Sequence, residues 1–342
     1  MFSIGMTVNS SRSLPRRDVA LSTLSLGCAQ LGNLYCEVSD ADALATVDRS
    51  WQLGIRYFDT APHYGLGLSE RRLGKALGSR ARGEYVLSSK VGRLLQPVSR
   101  VEGLDDAGFV VPATHRRVFD FSREGILRAL ADSLERLAVD RLDVVYLHDP
   151  DDHVADVLAE GYPTLDELRR EGVVAAIGAG MNDAAVLARL VRETDLDVVM
   201  VAGRYTLLEQ GSLDDLMPLC EERGVGVVAA GVFNSGLLAR RSPGFGAKYD
   251  YVDASPELVR RARTIATVCE RYGTSLPAAA LSFAAAHPAV VSVCVGARSA
   301  TQIERNAVLS DERIPTDLWA ELKAEHLLRA DAPVPGADDD RP

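Results

Sequence analysis

The chain has little cysteine, few aromatic residues and no long apolar run. Its five cysteines (Cys28, Cys36, Cys220, Cys269 and Cys294) are odd in number and scattered over 342 residues. That pattern excludes a disulfide framework and reads as reduced thiols in a cytoplasmic protein. No stretch reaches the ~18 apolar residues of a membrane-spanning helix. The first 20 residues lack the continuous apolar core of a secretory signal. Dense Lys/Arg blocks are also missing, and 38 basic against 48 acidic side chains leave a net charge of −10. Neither nucleic acid nor a membrane is an expected partner. A hydrophobic fraction of 47% with 25% charged residues is enough for a packed core, so wholesale disorder is excluded as well.

What is present is an alternation. Short Val/Ile/Leu-rich runs lie at Leu24–Gly27, Ile55–Asp59, Tyr85–Val91, Leu142–His148, Val174–Gly180, Asp197–Gly203, Gly226–Val232 and Val291–Gly296. Most are continuously apolar, as strands covered on both faces should be. Amphipathic stretches separate them near 40–53, 69–78, 122–137, 164–171, 183–193, 212–223, 256–272 and 301–309. Ser69, Ser122, Asp183 and Ser212 are candidate N-caps. Eight strands alternating with eight helices fit an α/β (β/α)8 TIM barrel better than a doubly wound sheet. One barrel over residues 1–330 absorbs the length, and 331–342 reads as a disordered tail.

Three segments exceed the bare barrel. Residues 92–119 and 233–254 are long loops on the C-terminal face, and 275–287 suggests an extra helix before strand eight. Barrel enzymes place their active sites on that face, and loops of this length are usually functional. The polar side chains Arg93, Arg116, Arg117, Asn234 and Ser235 on these insertions suit a polyhydroxylated substrate.

The strand ends carry the chemistry. Strand two closes on Asp59-Thr60-Ala61, with Tyr64-Gly65 following; strand three closes on Lys90, and strand four on His148. In a barrel all four polar side chains converge on one rim. Taken singly, each has an ordinary explanation: a loop cap, a snorkelling lysine, a satisfied core histidine. His63 beside Tyr64 reads as an exposed loop residue.

Asp59-Thr60-Ala61-x-x-Tyr64-Gly65 with Lys90 and His148 resembles the catalytic tetrad of the aldo-keto reductases, and the resemblance runs from about residue 24 to 310. It implies the same barrel and hydride transfer between a nicotinamide cofactor and a carbonyl or alcohol. Leu147-His148-Asp149-Pro150, Arg204-Tyr205-Thr206-Leu207-Leu208 and Ser235-Gly236-Leu237-Leu238 are most similar to the sugar-oxidising branch. That branch includes D-threo-aldose (L-fucose) 1-dehydrogenases and pyridoxal 4-dehydrogenases. On this resemblance Tyr64 is the acid/base, because a neighbouring Lys90 ammonium favours its phenolate. Asp59 anchors the lysine, and His148 orients the substrate oxygen.

The resemblance also implies a cofactor path. Asn182, Tyr205, Gly231 and Ser235 fall along it, with Met181 departing from the family's Ser-Asn pair. Ala230 stands where many members carry a stacking tyrosine. Gly296, Arg298, Gln302, Arg305 and Asn306 match the segment that holds the adenosine phosphate, at a helix N-terminus suited to anions. Missing basic residues at Gly296 and Gln302 favour NAD; Arg298 keeps NADP open, since a guanidinium suits a 2′-phosphate.

Two competing motifs are weaker. His148-Asp149-Pro150-Asp151-Asp152-His153 mimics a metal cluster, but only His148 sits on a strand, so no metal is expected. Gly178-x-Gly180-x-x-Asp183 is half of a dinucleotide-binding fingerprint without its third glycine. The expected activity is oxidation of an aldose such as L-fucose at the anomeric hydroxyl, giving a lactone. Alternatives are pyridoxal oxidation, aldehyde reduction and, from another class, a non-catalytic cofactor-binding redox sensor. The partner is a small molecule, and the chain is expected as a monomer or small homo-oligomer.

Overall fold

In the computed structural model, residues 8–336 are described apart from Phe245, Ala247 and Tyr251. Every apolar run named above becomes a strand: β1 (Leu24–Gly27), β2 (Tyr57–Asp59), β3 (Val86–Val91), β4 (Val144–His148), β5 (Ala176–Met181), β6 (Val198–Ala202), β7 (Gly226–Ala230) and β8 (Val290–Gly296). Each pairs in parallel with the next, and β8 closes on β1 from Val293↔Leu24 to Gly296↔Gly27. The strands need apolar residues on both faces because both are covered. Tyr57, Val144, Tyr146, Val198, Met200, Val228 and Cys294 cluster around the barrel axis. The opposite face packs against the helices in a larger core layer.

An antiparallel hairpin, Ser11–Ser13 with Ala20–Ser22, covers the N-terminal end of the barrel. It adds Leu14, Val19 and Leu21 to the axial cluster. Around this floor Asp197, its side chain fully buried, receives Arg17 Nε at 2.7 Å, Arg169 Nη1 at 2.9 Å and the Ile177 backbone N–H at 3.0 Å.

Helices follow the strands, beginning with α1 (Asp40–Gln52), α2 (Leu68–Leu77) and α3 (Arg123–Leu137). Ser122 caps α3 by accepting from Gly125 N, and Asp183 caps the helix Ala184–Glu193. Ser69 and Ser212 are not caps. Helix α2 starts at Gly67, whose φ of +80° lets the chain enter the first turn, and Ser69 already lies inside. Its hydroxyl donates to Cys28 O at 2.7 Å. Ser212 sits in a 3₁₀ turn, Gly211–Asp214, and donates to Arg204 O at 2.7 Å.

The first insertion forms a two-stranded antiparallel ribbon, Arg93–Pro97 with His115–Phe119. Residues 98–114 then fold back so that Phe109 and Val111 pack with Leu34 and Leu66. In the second, a 3₁₀ turn at Asn234–Gly236 precedes a short ribbon of Lys248–Tyr249 with Val252–Asp253. The extra helix before β8 is Leu276–Ala284. The tail is placed further than expected: Ala332 is buried and its carbonyl accepts from Lys323 Nζ at 2.8 Å. Residues 337–342 of the expected disordered tail lie outside the described residues. No described helix is long and apolar enough to cross a membrane.

Candidate active site

Three strands each send two polar side chains into the barrel: Tyr57 and Asp59 from β2, Ser88 and Lys90 from β3, Tyr146 and His148 from β4. Strand side chains alternate, so positions two apart share a face. Lys90 Nζ donates to Asp59 Oδ2 at 2.5 Å and to Thr60 O at 3.0 Å. Both side chains are nearly inaccessible, at 2% for Lys90 and 3% for Asp59. Asp59 Oδ1 accepts from Ser88 Oγ at 2.7 Å. The Tyr57 hydroxyl lies 3.1 Å from Ser88 Oγ and 3.0 Å from the Tyr146 hydroxyl, which extends the chain down the axis.

Tyr64 enters from the loop after β2. Lys90 Nζ lies 5.0 Å from its ring centroid, and the His148 ring stands edge-on at 6.0 Å and 89°. The structure thus brings Asp59, Tyr64, Lys90 and His148 into one cluster at the C-terminal mouth. Burial alone would depress the Lys90 pKa. The Asp59 carboxylate, the nearby Tyr64 and the Asp59 hydrogen bond overcome that and hold it above the usual lysine range. His148 goes the other way: burial first, then Arg93, Lys90, His63 and Arg117, push it well below the usual value, so it is neutral.

Backbone contact fixes where Tyr64 sits. A Cβ on Gly65, at φ +62°, would lie 2.3 Å from Gly32 O, and one on Gly32 would lie 2.6 Å from the Tyr64 carbonyl carbon. Only glycines permit the loops after β1 and β2 to touch in this way. In the half-fingerprint Gly178-x-Gly180 the first glycine has a similar steric origin. A Cβ at Gly178 would meet the Tyr146 ring at 2.8 Å, and one at Gly180 would meet Lys90 Cε at 3.7 Å. Gly178 makes room inside the barrel for the axial chain, whereas the Gly180 distance is an ordinary contact.

His63 is not an exposed loop residue. Its ring packs edge-on against Phe109 at 5.2 Å and against His148 at 5.6 Å. Burial, then Arg117, Arg93 and Lys90, lower its pKa to about 2. The insertion side chains are largely committed among themselves. Arg117 forms a two-pronged pair with Asp105 (2.5 and 2.9 Å) and donates to His63 O at 2.9 Å. Arg93 Nη2 donates to Asp149 Oδ2 at 2.5 Å, and that carboxylate lies 3.7 Å from His148 Nε2. Arg116 turns to Gln96 on the outer face, at 2.8 Å. Of the insertion side chains expected to suit a polyhydroxylated substrate, Arg93 and Arg117 are thus engaged by carboxylates and Arg116 by Gln96.

His153 stacks near Phe119, at 4.8 Å, and lies 3.3 Å from Asp156. Among the described residues no group of three or more His, Cys, Asp or Glu could hold a metal ion.

The residues expected along a cofactor divide. Asn182 is exposed at the rim after β5. Gly231, at φ +60°, abuts Gly203, and the neighbouring Asn234 keeps a buried Oδ1 without a partner. The Ser235 side chain faces the Tyr35 hydroxyl from the loop after β1, as a donor to its oxygen. Gly296 faces the Gln30 carboxamide, which an added Cβ would strike at 2.3 Å, and Gln30 Oε1 is itself buried without a partner. Ser299 caps the helix Ala300–Ser310; Gln302 Oε1 accepts from Arg298 N at 3.0 Å, and Arg298 Nη1 lies 3.0 Å from Cys36 Sγ. Arg305 reaches Ala239 O at 3.3 Å, and Asn306 is buried on the inner side of that helix. Unpaired carboxamide oxygens beside glycines, ending at a helix N-terminus, fit a dinucleotide. Tyr205 keeps a buried hydroxyl without a partner. It is 1% exposed and packs against Phe283 at 5.1 Å and His287 at 5.9 Å, in the outer core layer.

Sequence reasoning missed Tyr57, Ser88 and Tyr146. The signal was there: each stands two residues before a rim residue already singled out, on the same strand face.

Comparison with known proteins agrees with this geometry. The Aldo/keto reductase family model matches residues 23–325. The chain is 48% identical to a D-threo-aldose 1-dehydrogenase from Pseudomonas sp, over 91% of this chain and 95% of the relative. It is 38% identical to a pyridoxal 4-dehydrogenase from Microbacterium luteolum, over 94% and 99%. A holo-form aldo-keto reductase from Bacillus halodurans superposes with a TM-score of 0.71 at 28% identity, covering 94% of this chain and 96% of that one.

Proposed function

This chain belongs to the aldo/keto reductase family of NAD(P)-dependent oxidoreductases, and on that premise we propose that it oxidises the anomeric hydroxyl of an aldose such as L-fucose to a lactone, with NAD as the preferred acceptor. The observation that carries the chemistry is the buried Lys90–Asp59 pair, 2.5 Å long, set beneath Tyr64 and His148. The choice of substrate rests on the 48% identity to an aldose dehydrogenase.

A nicotinamide dinucleotide, when bound, supplies the hydride acceptor. The chain's own residues do the proton work. An unperturbed phenol, with a pKa of ~10, is a poor base near neutrality. The Lys90 ammonium beside Tyr64 favours the phenolate, so Tyr64 takes the hydroxyl proton as the carbonyl forms. Asp59 keeps that ammonium in place in a site where an unpaired charge would be costly. Neutral His148 directs the substrate oxygen at Tyr64 by a hydrogen bond. Asn182, Gly231, Ser235, Gly296, Arg298, Gln302, Arg305 and Asn306 would hold the dinucleotide. Arg298 N is already satisfied by Gln302 Oε1, and its guanidinium is drawn to Cys36. Both contacts favour NAD over a 2′-phosphorylated cofactor. The cysteines are all unpaired, which suits a cytoplasmic setting.

A second reading, oxidation of pyridoxal as its cyclic hemiacetal, is favoured by the aromatic wall of Phe109, Tyr64 and His63. The deciding experiment is a panel of aldoses, pyridoxal, primary alcohols and small aldehydes, each assayed with NAD(H) and NADP(H). Higher kcat/KM for L-fucose or a similarly configured aldose than for every other class supports the proposal. Pyridoxal outpacing all aldoses replaces it with the second reading. Activity in aldehyde reduction alone removes both, and cofactor binding without any turnover points to a sensor.

A further inference from the structure

Besides packing Phe109 on Tyr64 and His63, the insertion after β3 reaches the site through two arginines, and both contacts have the same form. On the ribbon, Arg93 pairs across from Phe119 and Leu95 from Arg117, so Arg93 and Arg117 lie on one face. Arg116, one residue over, lies on the other face and reaches only Gln96. From the inner face, Arg117 donates to the carbonyl of His63, the residue that precedes Tyr64, while Asp105 grips the same guanidinium. Arg93 grips Asp149, the residue that follows His148.

The brace is anchored on the frame. Val110 N donates to Asn33 O at 2.9 Å, Tyr35 N donates to Gly108 O at 2.9 Å, and Asn33 Nδ2 donates to Val110 O at 3.1 Å. Asn33 is in turn held by Arg72, whose Nη1 reaches Asn33 Oδ1 at 2.8 Å and Leu31 O at 2.7 Å. Phe109, between these anchors, packs on the Tyr64 ring with centroids 6.1 Å apart. The Asp105 side chain is only 3% exposed and that of Arg117 13%. An ion pair so far from water contributes little net stability against an apolar substitute, yet breaking it from one side is costly. Its retention here is explained by what the second guanidinium prong holds.

We propose that the insertion 92–119 is a brace for the proton-transfer groups: Arg117 is a positioning residue that sets Tyr64 through the His63 carbonyl, and Arg93 one that sets His148 through Asp149. The two arginines act through these links and do not bind substrate. Asp149 has a φ of +42°, a strained value for a non-glycine residue, and its N–H is tied to Gly180 O at 3.0 Å. The Arg93 grip therefore holds a backbone conformation that the chain would otherwise relax. The proposal rests on the roles given to Tyr64 and His148 above.

The test uses the full-length protein with its best substrate and NAD. Variants are Arg117→Met, Arg117→Lys and the exchange Asp105→Arg with Arg117→Asp. Loss of the His63 link lets Tyr64 drift from its place over Lys90. Arg117→Met is expected to lower kcat by about 10²-fold, the effect of a misplacement of roughly 1 Å. KM should change by less than about threefold, because ground-state binding is not the interaction removed. The rise of kcat with pH should move to higher pH, since the phenol sits further from its cation. NAD affinity, read by fluorescence titration, should be unchanged. Arg117→Lys should recover part of kcat. The exchange restores the ion pair but not a donor to His63 O, so it should recover melting temperature without recovering kcat.

An exchange that recovers both makes the pair merely structural and overturns the proposal. So does a large rise in KM at constant kcat, which would put Arg117 on the substrate. Should the Arg117 variants not fold, Arg93→Met gives the same readout through His148, and an unchanged kcat there is equally fatal. Tyr64→Phe is the control. If it silences the enzyme while folded Arg117→Met and Arg93→Met remain at wild-type kcat, only the brace falls. If Tyr64→Phe itself retains turnover, the reading of Tyr64 falls instead.

Discussion

The two ends of the barrel treat buried polar groups in opposite ways. At the floor, Asp197 is saturated by two arginines and a backbone N–H, and Leu14, Val19 and Leu21 fill the axis. At the mouth, polar atoms are buried and left without partners: Gln30 Oε1, His63 Nδ1, Arg93 Nε, Arg117 Nε, His148 Nδ1 and Asn234 Oδ1. A buried polar atom without a partner costs about 1–3 kcal/mol. Two more such atoms, the Tyr205 hydroxyl and Trp319 Nε1, lie in the outer core layer, but the six gathered around the rim mark that end as the one where a ligand would supply partners. The floor is built for stability, and the mouth for ligands. Perturbed groups follow the same division, with Lys90 held charged and His63 and His148 held neutral within one cluster.

The sharpest way to break this contrast is to exchange a mouth residue and a floor residue and compare what each loses. Tyr64→Phe removes one hydroxyl. It should cut turnover by ~10²–10⁴-fold, the range for a general acid/base. Melting temperature and NAD affinity should stay near wild type in thermal melts and fluorescence titration. A variant that keeps near-wild-type turnover in steady-state assays would take Tyr64 out of the chemistry.

Asp197→Ala is the floor counterpart. It takes one of two paired carboxylates from Arg169, whose side chain is 6% exposed and which keeps Asp166, and it removes the acceptor of Arg17 Nε and of the Ile177 N–H. The expected loss is about 3 kcal/mol of stability, typical for breaking a buried pair from one side. Denaturant unfolding measures it. The kcat of the remaining folded protein should be unaltered. If kcat falls with stability unchanged, the two ends are not separate in function.

A third prediction sharpens the mouth alone. Wild-type protein should prefer NAD to NADP in kcat/KM. Gln302→Arg frees Arg298 N and adds a cation, and should improve NADP use by ~1–3 kcal/mol, the worth of charge-assisted hydrogen bonds. Cofactor titrations of both proteins measure this. Strong NADP preference in the wild type would assign the 2′-phosphate to Arg298 instead.

How much of this contrast the sequence displayed depended on periodicity. All eight strands were legible because a strand covered on both faces is continuously apolar, and the rim residues were legible because they interrupt those runs. Tyr57, Ser88 and Tyr146 escaped because a polar side chain within an apolar run has no visible partner until the barrel closes. Arg116 and Arg117 could not be told apart for a related reason. Their faces follow from the ribbon register, Leu95 against Arg117, and a shift of one residue would reverse them. The packing of Tyr205 was not legible because an aromatic after a strand serves the outer core layer as well as it serves the mouth. His63 read as exposed because its cover, Phe109, comes from 46 residues further along the chain.

The smallest expected effect tests whether the neutral imidazoles belong to the same contrast. His63 and His148 have folded-state pKa values below the unfolded ~6.5. Near neutrality neither state binds a proton at these sites, and they contribute no pH dependence. Below pH ~6.5 the unfolded chain takes up a proton at each site that the folded one does not. Stability therefore falls as pH falls through the unfolded value, by up to about 1.4 kcal/mol per pH unit for each histidine. For His63 the slope persists down to about pH 2, where the folded form also protonates. The charged groups facing the pair are Arg93, Arg117, Lys90 and the Asp149 carboxylate, which burial raises above its usual value, and a substitution at His63 leaves all four in place. Denaturant unfolding from pH 7.5 to pH 5 should show a shallower pH dependence for His63→Asn than for wild type, by about one proton. Identical slopes would mean that the His63 ring gains a proton in the folded protein as easily as in the unfolded chain. The mouth would then be wetter, and its arginines further away, than the structure places them.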